Sequence, residues 1–383
     1  MQLLAWASLL PLALAAPVFQ PRAAQLIPGS YIIKLKDGSS NAALENTLKH
    51  LKSTKTDHVY RAGRFKGFAA KLSPAVLDTV SRLPEVEYIE QDAIVRANDF
   101  VTQAGVPWGL ARISHRTTGA TSYVYDDSAG EGTCAYVIDT GIYVNHTQFE
   151  NRAQWLANFA DSDNRDGHGH GTHVAGTIGG VDYGVAKKTK LFAVKVLRAN
   201  GSGTLSGVIA GIDFVAADAA ARASTDCPKG SVANLSLGSS RSTAVNAAAA
   251  AAVRAGVFLS VAAGNDDDDT QFYSPSSEPT VCTVGATDVD DVRAWFSNYG
   301  AGVDIFAPGV EVLSSWIGST TATNTISGTS MAAPHIAGLG AYYLALEGPK
   351  TPGELCEYLK AVATLGTITD LPAGTFNGIG FNG

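Results

Sequence analysis

Charge is scarce in this chain of 383 residues: only 16% are Asp, Glu, Lys or Arg, while 45% are hydrophobic. That balance excludes a disordered chain, which needs many charges and few apolar side chains. The length suits one sizeable core plus a smaller domain. Basic clusters are missing from the larger part. Residues 1–100 hold 12 Lys and Arg against 9 Asp and Glu, which leaves 16 against 26 for residues 101–383 and a net charge of −10 there. Phosphate recognition needs clustered cations, so nucleic acid is excluded as a partner. Cysteine is absent from the first 100 residues, and Cys134, Cys227, Cys282 and Cys356 all follow. An even number in an exported chain suggests two disulfides, and sequence alone leaves three pairings open.

Long apolar runs are also lacking, apart from MQLLAWASLLPLALAAPV at the start. This run is short for a spanning helix and ends in Ala13-Leu14-Ala15, small residues at cleavage-type positions. We read it as a signal peptide to about Ala15, which implies an extracellular protein without a membrane anchor. The next candidate, NAAAAAAVRAGVFLSVAAG, is interrupted by Arg254 and reads as a helix running into a buried strand.

Behind the signal, Ser30–Lys36, FKGFAAKLS and VEYIEQD read as strands, and AALENTLKHLK and PAVLDTVSRLP as helices. Together they make a small α+β unit. Residues 97–107, ANDFVTQAGVP, show no periodicity and read as a linker with a domain boundary near Phe100. Beyond it, short buried runs (TCAYVIDT, LFAVKVL, VANLSLG, VFLSVAAG, VCTVGAT) alternate with Ala- and Gly-rich helical segments. This alternation predicts a mainly parallel sheet with helices on both faces.

Four elements carry candidate chemistry. Asp139 ends the apolar run Ala135–Ile138, which puts a carboxylate at the C-terminal end of a buried strand, where open α/β sheets bind ligands. An Asp before Thr140-Gly141 serves equally as a turn former. The segment DGHGHGTHVAGT offers His168, His170 and His173. One of them could be the base of a nucleophilic mechanism, or the H-x-H-x-x-H spacing could hold a metal. Ser330 opens an Ala-rich helix running to about Leu346, so its hydroxyl lies at the positive end of the helix dipole. A plain N-cap serine would look the same. Asn265, in VAAGNDDDD, follows a strand end, where its amide could donate to an oxyanion or merely make a turn.

Taken together, VIDTG, HGHGTHVAG, SGTSMAAPHIAG and AAGN, in that chain order, resemble the subtilisin-like serine proteases, in particular their secreted fungal proteinase K type. The order Asp, His, Ser is the one given for subtilisin as a general example. The resemblance extends from Pro107 almost to the C-terminus. YIIKLK, FKGFAAKL and PEVEYIEQD are similar to the family's ferredoxin-like inhibitory propeptide, a chaperone that blocks the cleft until removed.

The resemblance implies a signal peptide at 1–15, a propeptide at 16–100 and a peptidase domain at 101–383, acting as a monomer on proteins and peptides. It selects His170 as the base, with Ser330 as nucleophile, Asp139 orienting the imidazole, and Asn265 with the Ser330 N–H binding the oxyanion. Substrate would pair with Gly201, Ser202 and Gly203 on one edge and Ser236, Leu237 and Gly238 on the other, with Ala262 to Gly264 lining the first pocket. This implies broad specificity with some preference for apolar or aromatic side chains. It also implies the bridges Cys134–Cys227 and Cys282–Cys356. One structural calcium is expected on Pro279, Val281 and Asp304, and no catalytic metal. The second site of relatives falls at Arg116 and Thr367, neither a carboxylate. Asp266–Asp269 reads as a solvated acidic loop. A metal-dependent hydrolase using the three histidines and a non-catalytic binding protein are the other classes considered.

Overall fold

The computed structural model describes residues 15–21, 26–51, 54–94 and 100–383. The expected signal segment lies, but for Ala15, outside the described residues. The chain divides into two compact units, one up to Ala97 and one from Asn98.

In the first unit a five-stranded sheet runs in the order Val18–Phe19, Val86–Ala93, Leu26–Leu35, Gly67–Lys71, Thr56–Tyr60. Its four longer strands pair antiparallel. Helices Asn41–Lys49 and Pro74–Ser81 begin where sequence chemistry says they should. The Ser40 and Ser73 hydroxyls accept from the N–H groups of Ala43 and Val76, and Pro74 fills the first turn, where no N–H partner is needed. The strand–helix–strand–strand–helix–strand order is the ferredoxin-like arrangement. Its core is Ile33, Leu35, Leu44, Phe68, Val80 and Ile89 with their neighbours. Strand Thr56–Tyr60 carried no signal in the sequence: it is a polar edge strand, TDHVY, without alternation.

The second unit is built on a sheet of nine strands among the described residues. Their order is Thr364–Leu365, Gly378–Ile379, Ile305–Pro308, Cys282–Thr287, Phe258–Ala262, Gly230–Leu235, Thr133–Asp139, Lys190–Lys195, Ala153–Asn158. Every pairing is parallel except the short one at the Thr364 end. Both faces are covered. Along the central strand, Ala135 and Val137 enter the core under helices His170–Gly179 and Thr329–Glu347, while Cys134, Tyr136 and Ile138 enter the one under Leu205–Arg222 and Thr243–Arg254. Alternation with both sides buried explains why these strands read as unbroken apolar runs. Each Val, Ile or Leu so buried contributes about 1.5–3 kcal/mol.

Strand order reverses at Thr133–Asp139: the chain first places Ala153–Asn158 at the edge, returns to insert Lys190–Lys195 between the two, then crosses to Gly230–Leu235 on the other side. Such a switch point opens a crevice at the carboxyl ends of the strands. Asp139 stands there.

The sequence reading of a linker is corrected in part. Phe100–Ala104 forms a strand paired antiparallel with Ser122–Asp126. Its signal was weak because it is one short strand of a two-stranded ribbon at the surface, whose alternating exposure is not matched by an alternation of apolar and polar residues in FVTQA. Both disulfides form as the resemblance implied, Cys134–Cys227 and Cys282–Cys356, tying two core strands to a loop and to helix Pro352–Val362.

Candidate active site

Asp139 is fully buried. Its Oδ1 accepts from the N–H of Thr140 at 2.7 Å, and His170 Nδ1 lies 2.8 Å from Oδ1 and 2.9 Å from Oδ2. With Nδ1 committed to the carboxylate, Nε2 is the nitrogen left to exchange a proton across the cleft. His170 is the first residue of its helix because Gly169, at φ +102°, supplies the turn into it. Gly171 next to it has no alternative: a Cβ there would lie 2.1 Å from the Gly141 carbonyl oxygen.

Burial alone would lower the His170 pKa, but the charge and hydrogen bond of Asp139, together with the charge of Asp166, outweigh it and hold the pKa above its ordinary value. Asp166, which sequence reasoning passed over, organises the whole segment. Its carboxylate accepts from Thr140 Oγ1 (2.8 Å), the N–H groups of His168 (3.0 Å), Gly169 (2.8 Å) and Thr172 (3.0 Å), and Thr172 Oγ1 (2.6 Å). An acidic residue four positions before the helix start, in a glycine-rich run with orphan N–H groups, was the available signal.

The three histidines do not converge. His173 is buried with Nε2 on the Val312 carbonyl at 2.9 Å, and burial lowers its pKa to about 4. His168 lines the cleft beside Gly201. The spacing in the sequence is ligand-like, but a helix start followed by a helix sends the rings in different directions.

Ser330 is the second residue of helix Thr329–Glu347. Its Oγ donates to the Ser236 carbonyl at 3.1 Å, and the Ser236 hydroxyl donates back to the Ser330 carbonyl at 2.7 Å. Pro334 explains the second bond: four residues on, it has no N–H, so the Ser330 carbonyl needs another donor. Asn265 Oδ1 accepts from Thr329 N at 2.8 Å and Thr329 Oγ1 at 2.9 Å, which turns Nδ2 away from them. Asn265 Nδ2 and Ser330 N each lie 3.6 Å from the point where a side chain on Gly328 would begin. Two N–H donors therefore converge on one small region.

A cavity of about 590 Å³ is lined by His168, His170, Gly201–Gly203 and Ser236–Gly238. A second, of about 350 Å³, is lined by Leu237 and Gly238, Ala262–Asp266, Tyr273 and Ser330. The two share Leu237, Gly238 and Ser239 in their walls, and the residues expected as substrate edges and first pocket line one or the other.

Asp304 lies away from these cavities. Burial pushes its carboxyl pKa up, against the pull of the Thr283 N–H on Oδ2 (2.9 Å) and the Lys360 ammonium, 3.6 Å from Oδ1. A buried carboxylate whose pKa stays raised despite these partners is a hard oxygen donor of the kind calcium takes. Cys282 and Cys356 approach the same carboxylate but are joined to each other and offer no thiolate. At the other expected position, Arg116 donates to the carbonyls of Val362 and Ala363.

A parallel α/β sheet with a cleft of this kind at its carboxyl edge is the architecture of subtilisin-like serine proteases. One solved relative, a cold-adapted subtilisin-like serine proteinase, is 42% identical with a TM-score of 0.67, over 73% of this chain and 99% of its own. Residues 130–380 match the Subtilase family and residues 30–98 match Peptidase inhibitor I9. The chain belongs to the subtilase family and is a serine protease that carries an inhibitor-type propeptide domain. It is 53% identical to a cuticle-degrading protease of Metarhizium anisopliae over 96% of this chain and 93% of the relative. It is 50% identical to proteinase R of Parengyodontium album over 96% and 92%. Among the described residues no helix is long and apolar enough to cross a membrane.

Proposed function

We propose that this chain is a secreted serine endopeptidase of broad specificity, made as a self-processed precursor with a signal peptide to about Ala15, an inhibitory propeptide to about Phe100 and a peptidase domain beyond. The observation that carries the reading is the Asp139–His170 pair, facing a cleft that also holds Ser330 and two convergent N–H donors.

In this reading Ser330 Oγ leaves the Ser236 carbonyl, turns to His170 Nε2 and attacks the peptide carbonyl carbon as its proton passes to the imidazole. Asp139 holds the ring in the tautomer that accepts at Nε2 and stabilises the imidazolium. The negative oxygen of the tetrahedral intermediate sits between the Ser330 N–H and Asn265 Nδ2. Collapse breaks the C–N bond, and His170 gives its proton to the leaving amine. Water then attacks the acyl ester with His170 again as base, releasing the acid and restoring Ser330. An extended substrate pairs with Gly201–Gly203 and Ser236–Gly238 as an added strand.

The deciding experiment is mass spectrometry after treatment with a sulfonyl fluoride, run beside a peptide-cleavage assay. One adduct on Ser330 with loss of cleavage is expected, and a Ser330→Ala precursor stays uncut. An unmodified Ser330 in a protein that still cleaves peptides would overturn the assignment.

One calcium ion on the carbonyls of Pro279 and Val281 and the Asp304 carboxylate is part of the same proposal, as a structural tie that competes with the Lys360 ammonium for Asp304. A chelator is expected to lower the melting temperature, by less in Asp304→Asn. An identical shift in both proteins would remove Asp304 from the site.

A further inference from the structure

Three Asn-x-Ser/Thr triplets, the acceptor sequence for an N-linked glycan, occur in the chain: Asn145-His146-Thr147, Asn200-Gly201-Ser202 and Asn234-Leu235-Ser236. The fold sorts them. Asn234 is fully buried in the large sheet, paired with Val137 on one side and Ser260 on the other, and its Nδ2 donates to Ser236 Oγ at 2.8 Å. A close-packed interior has no room for a sugar on that nitrogen, so a folded molecule is bare there. Asn200 is exposed but lines the larger cavity, on the edge proposed to pair with substrate, and its Oδ1 accepts from Ser202 N at 3.0 Å and Ser202 Oγ at 2.8 Å. An oligosaccharide at that position would stand in the path of an extended peptide, so a working molecule is bare there too.

Asn145 meets neither obstacle. The His146 N–H donates to the Tyr143 carbonyl at 3.0 Å, closing a tight turn with Val144 and Asn145 at its tip. Asn145 is exposed, lines neither cavity, and its side chain has no hydrogen-bond partner among the described residues. The turn is held from below. Buried His146 bonds through Nε2 to the Ala322 carbonyl at 2.8 Å, and Thr147 donates to the Thr320 carbonyl through its N–H at 2.8 Å and its Oγ1 at 3.0 Å. The neighbours on the C-terminal side are thus committed, while the Asn145 amide faces solvent. Because the Thr147 hydroxyl is in use once the protein is folded, the triplet is read while the chain is still extended.

We infer that Asn145 is an N-glycosylation site, and the one of the three that the active protein carries modified. Its Nδ2 bonds to C1 of the first sugar of a lipid diphosphate-linked oligosaccharide, the C1–O bond breaks, the lipid diphosphate leaves, and the amide gives up one proton. The inference rests on the proposed export of the chain, by a eukaryotic secretory route that supplies this donor.

The test uses protein recovered from the medium of a eukaryotic host, as wild type, Asn145→Gln and Thr147→Ser. Each is treated with peptide-N-glycosidase in heavy-oxygen water, which turns a glycosylated asparagine into labelled aspartate, and its peptides are mapped by mass spectrometry. A parallel sample without the glycosidase corrects for spontaneous deamidation at Asn200-Gly201. The label is expected at Asn145 in the wild type and in Thr147→Ser, which keeps the acceptor triplet, and nowhere in Asn145→Gln. An unlabelled Asn145 in secreted wild-type protein, or label at Asn200 or Asn234 in protein that cleaves peptides, would sink the inference and leave the peptidase reading standing. A wild-type chain that stays inside the cell would overturn the export reading and the inference together.

Discussion

The two walls of the cleft use hydrogen bonds in opposite ways. Around Asp139 and His170 almost every polar group is committed: Asp139 to Thr140 and His170, Asp166 to five donors, and the Thr140 hydroxyl also to the Gly171 N–H. Around Ser330 and Asn265, Nδ2 of Asn265, the convergent Ser330 N–H and the Asp266 carboxylate are left open toward the cavity. The first wall is buried, where an unmade bond would cost about 1–3 kcal/mol. On the second, solvent stands in until a ligand arrives, so openness costs little. Orientation calls for saturated groups and binding calls for unsaturated ones, and the fold keeps the two requirements on different elements.

Breaking the committed wall should have the largest effect. Asp139→Asn keeps the shape but presents the wrong hydrogen-bonding face to His170, so kcat is expected to fall by about 10⁴-fold. The sign of the accompanying pH effect follows from the causes of the shift. In the proposed mechanism His170 must be neutral to act, and Asp139 holds its pKa up against burial, so activity is expected to rise with pH through a raised pKa in the wild type. Without that charge the limb moves to lower pH. A kcat–pH profile that drops in height without moving would separate geometry from charge and weaken the comparison.

Next in size, Asn265→Ala removes a donor from the open wall and should lower kcat by about 10²- to 10³-fold with little change in KM, since the donor is used mainly in the transition state. A KM effect instead would mean that Asn265 binds substrate rather than an oxyanion. The smallest expected effect on rate is that of Asp166→Asn. It leaves one good acceptor for five donors and should cost about 2–3 kcal/mol of stability, measured by thermal unfolding, and about tenfold in kcat. If melting were unchanged, the saturated network would not be what positions the histidine.

Much of this was legible in the sequence for a physical reason: strands buried on both faces and helix starts with Ser or Gly leave strong local marks. TCAYVIDT, LFAVKVL and VCTVGAT became core strands, and the Ala-rich run interrupted by Arg254 became helix Thr243–Arg254 and strand Phe258–Ala262. What escaped notice depends on partners distant in the chain. Phe100–Ala104 is a strand because Ser122–Asp126 pairs with it, and Thr56–Tyr60 because Gly67–Lys71 does. His173 left the histidine cluster because the Val312 carbonyl accepts it. Asp166 was hidden because its role is to collect N–H groups, and nothing in its own residue type shows how many will reach it.

The distribution of the cysteines has one more consequence. Both bridges close inside the stretch from Cys134 to Cys356, and residues 1–100 contain no cysteine to join them. The only covalent thread between the two units is therefore the backbone itself, and a single hydrolysed peptide bond near residue 100 leaves two molecules with no leash between them. Whatever then keeps them together obeys mass action, so dilution or proteolysis of the smaller fragment is enough to make their separation permanent.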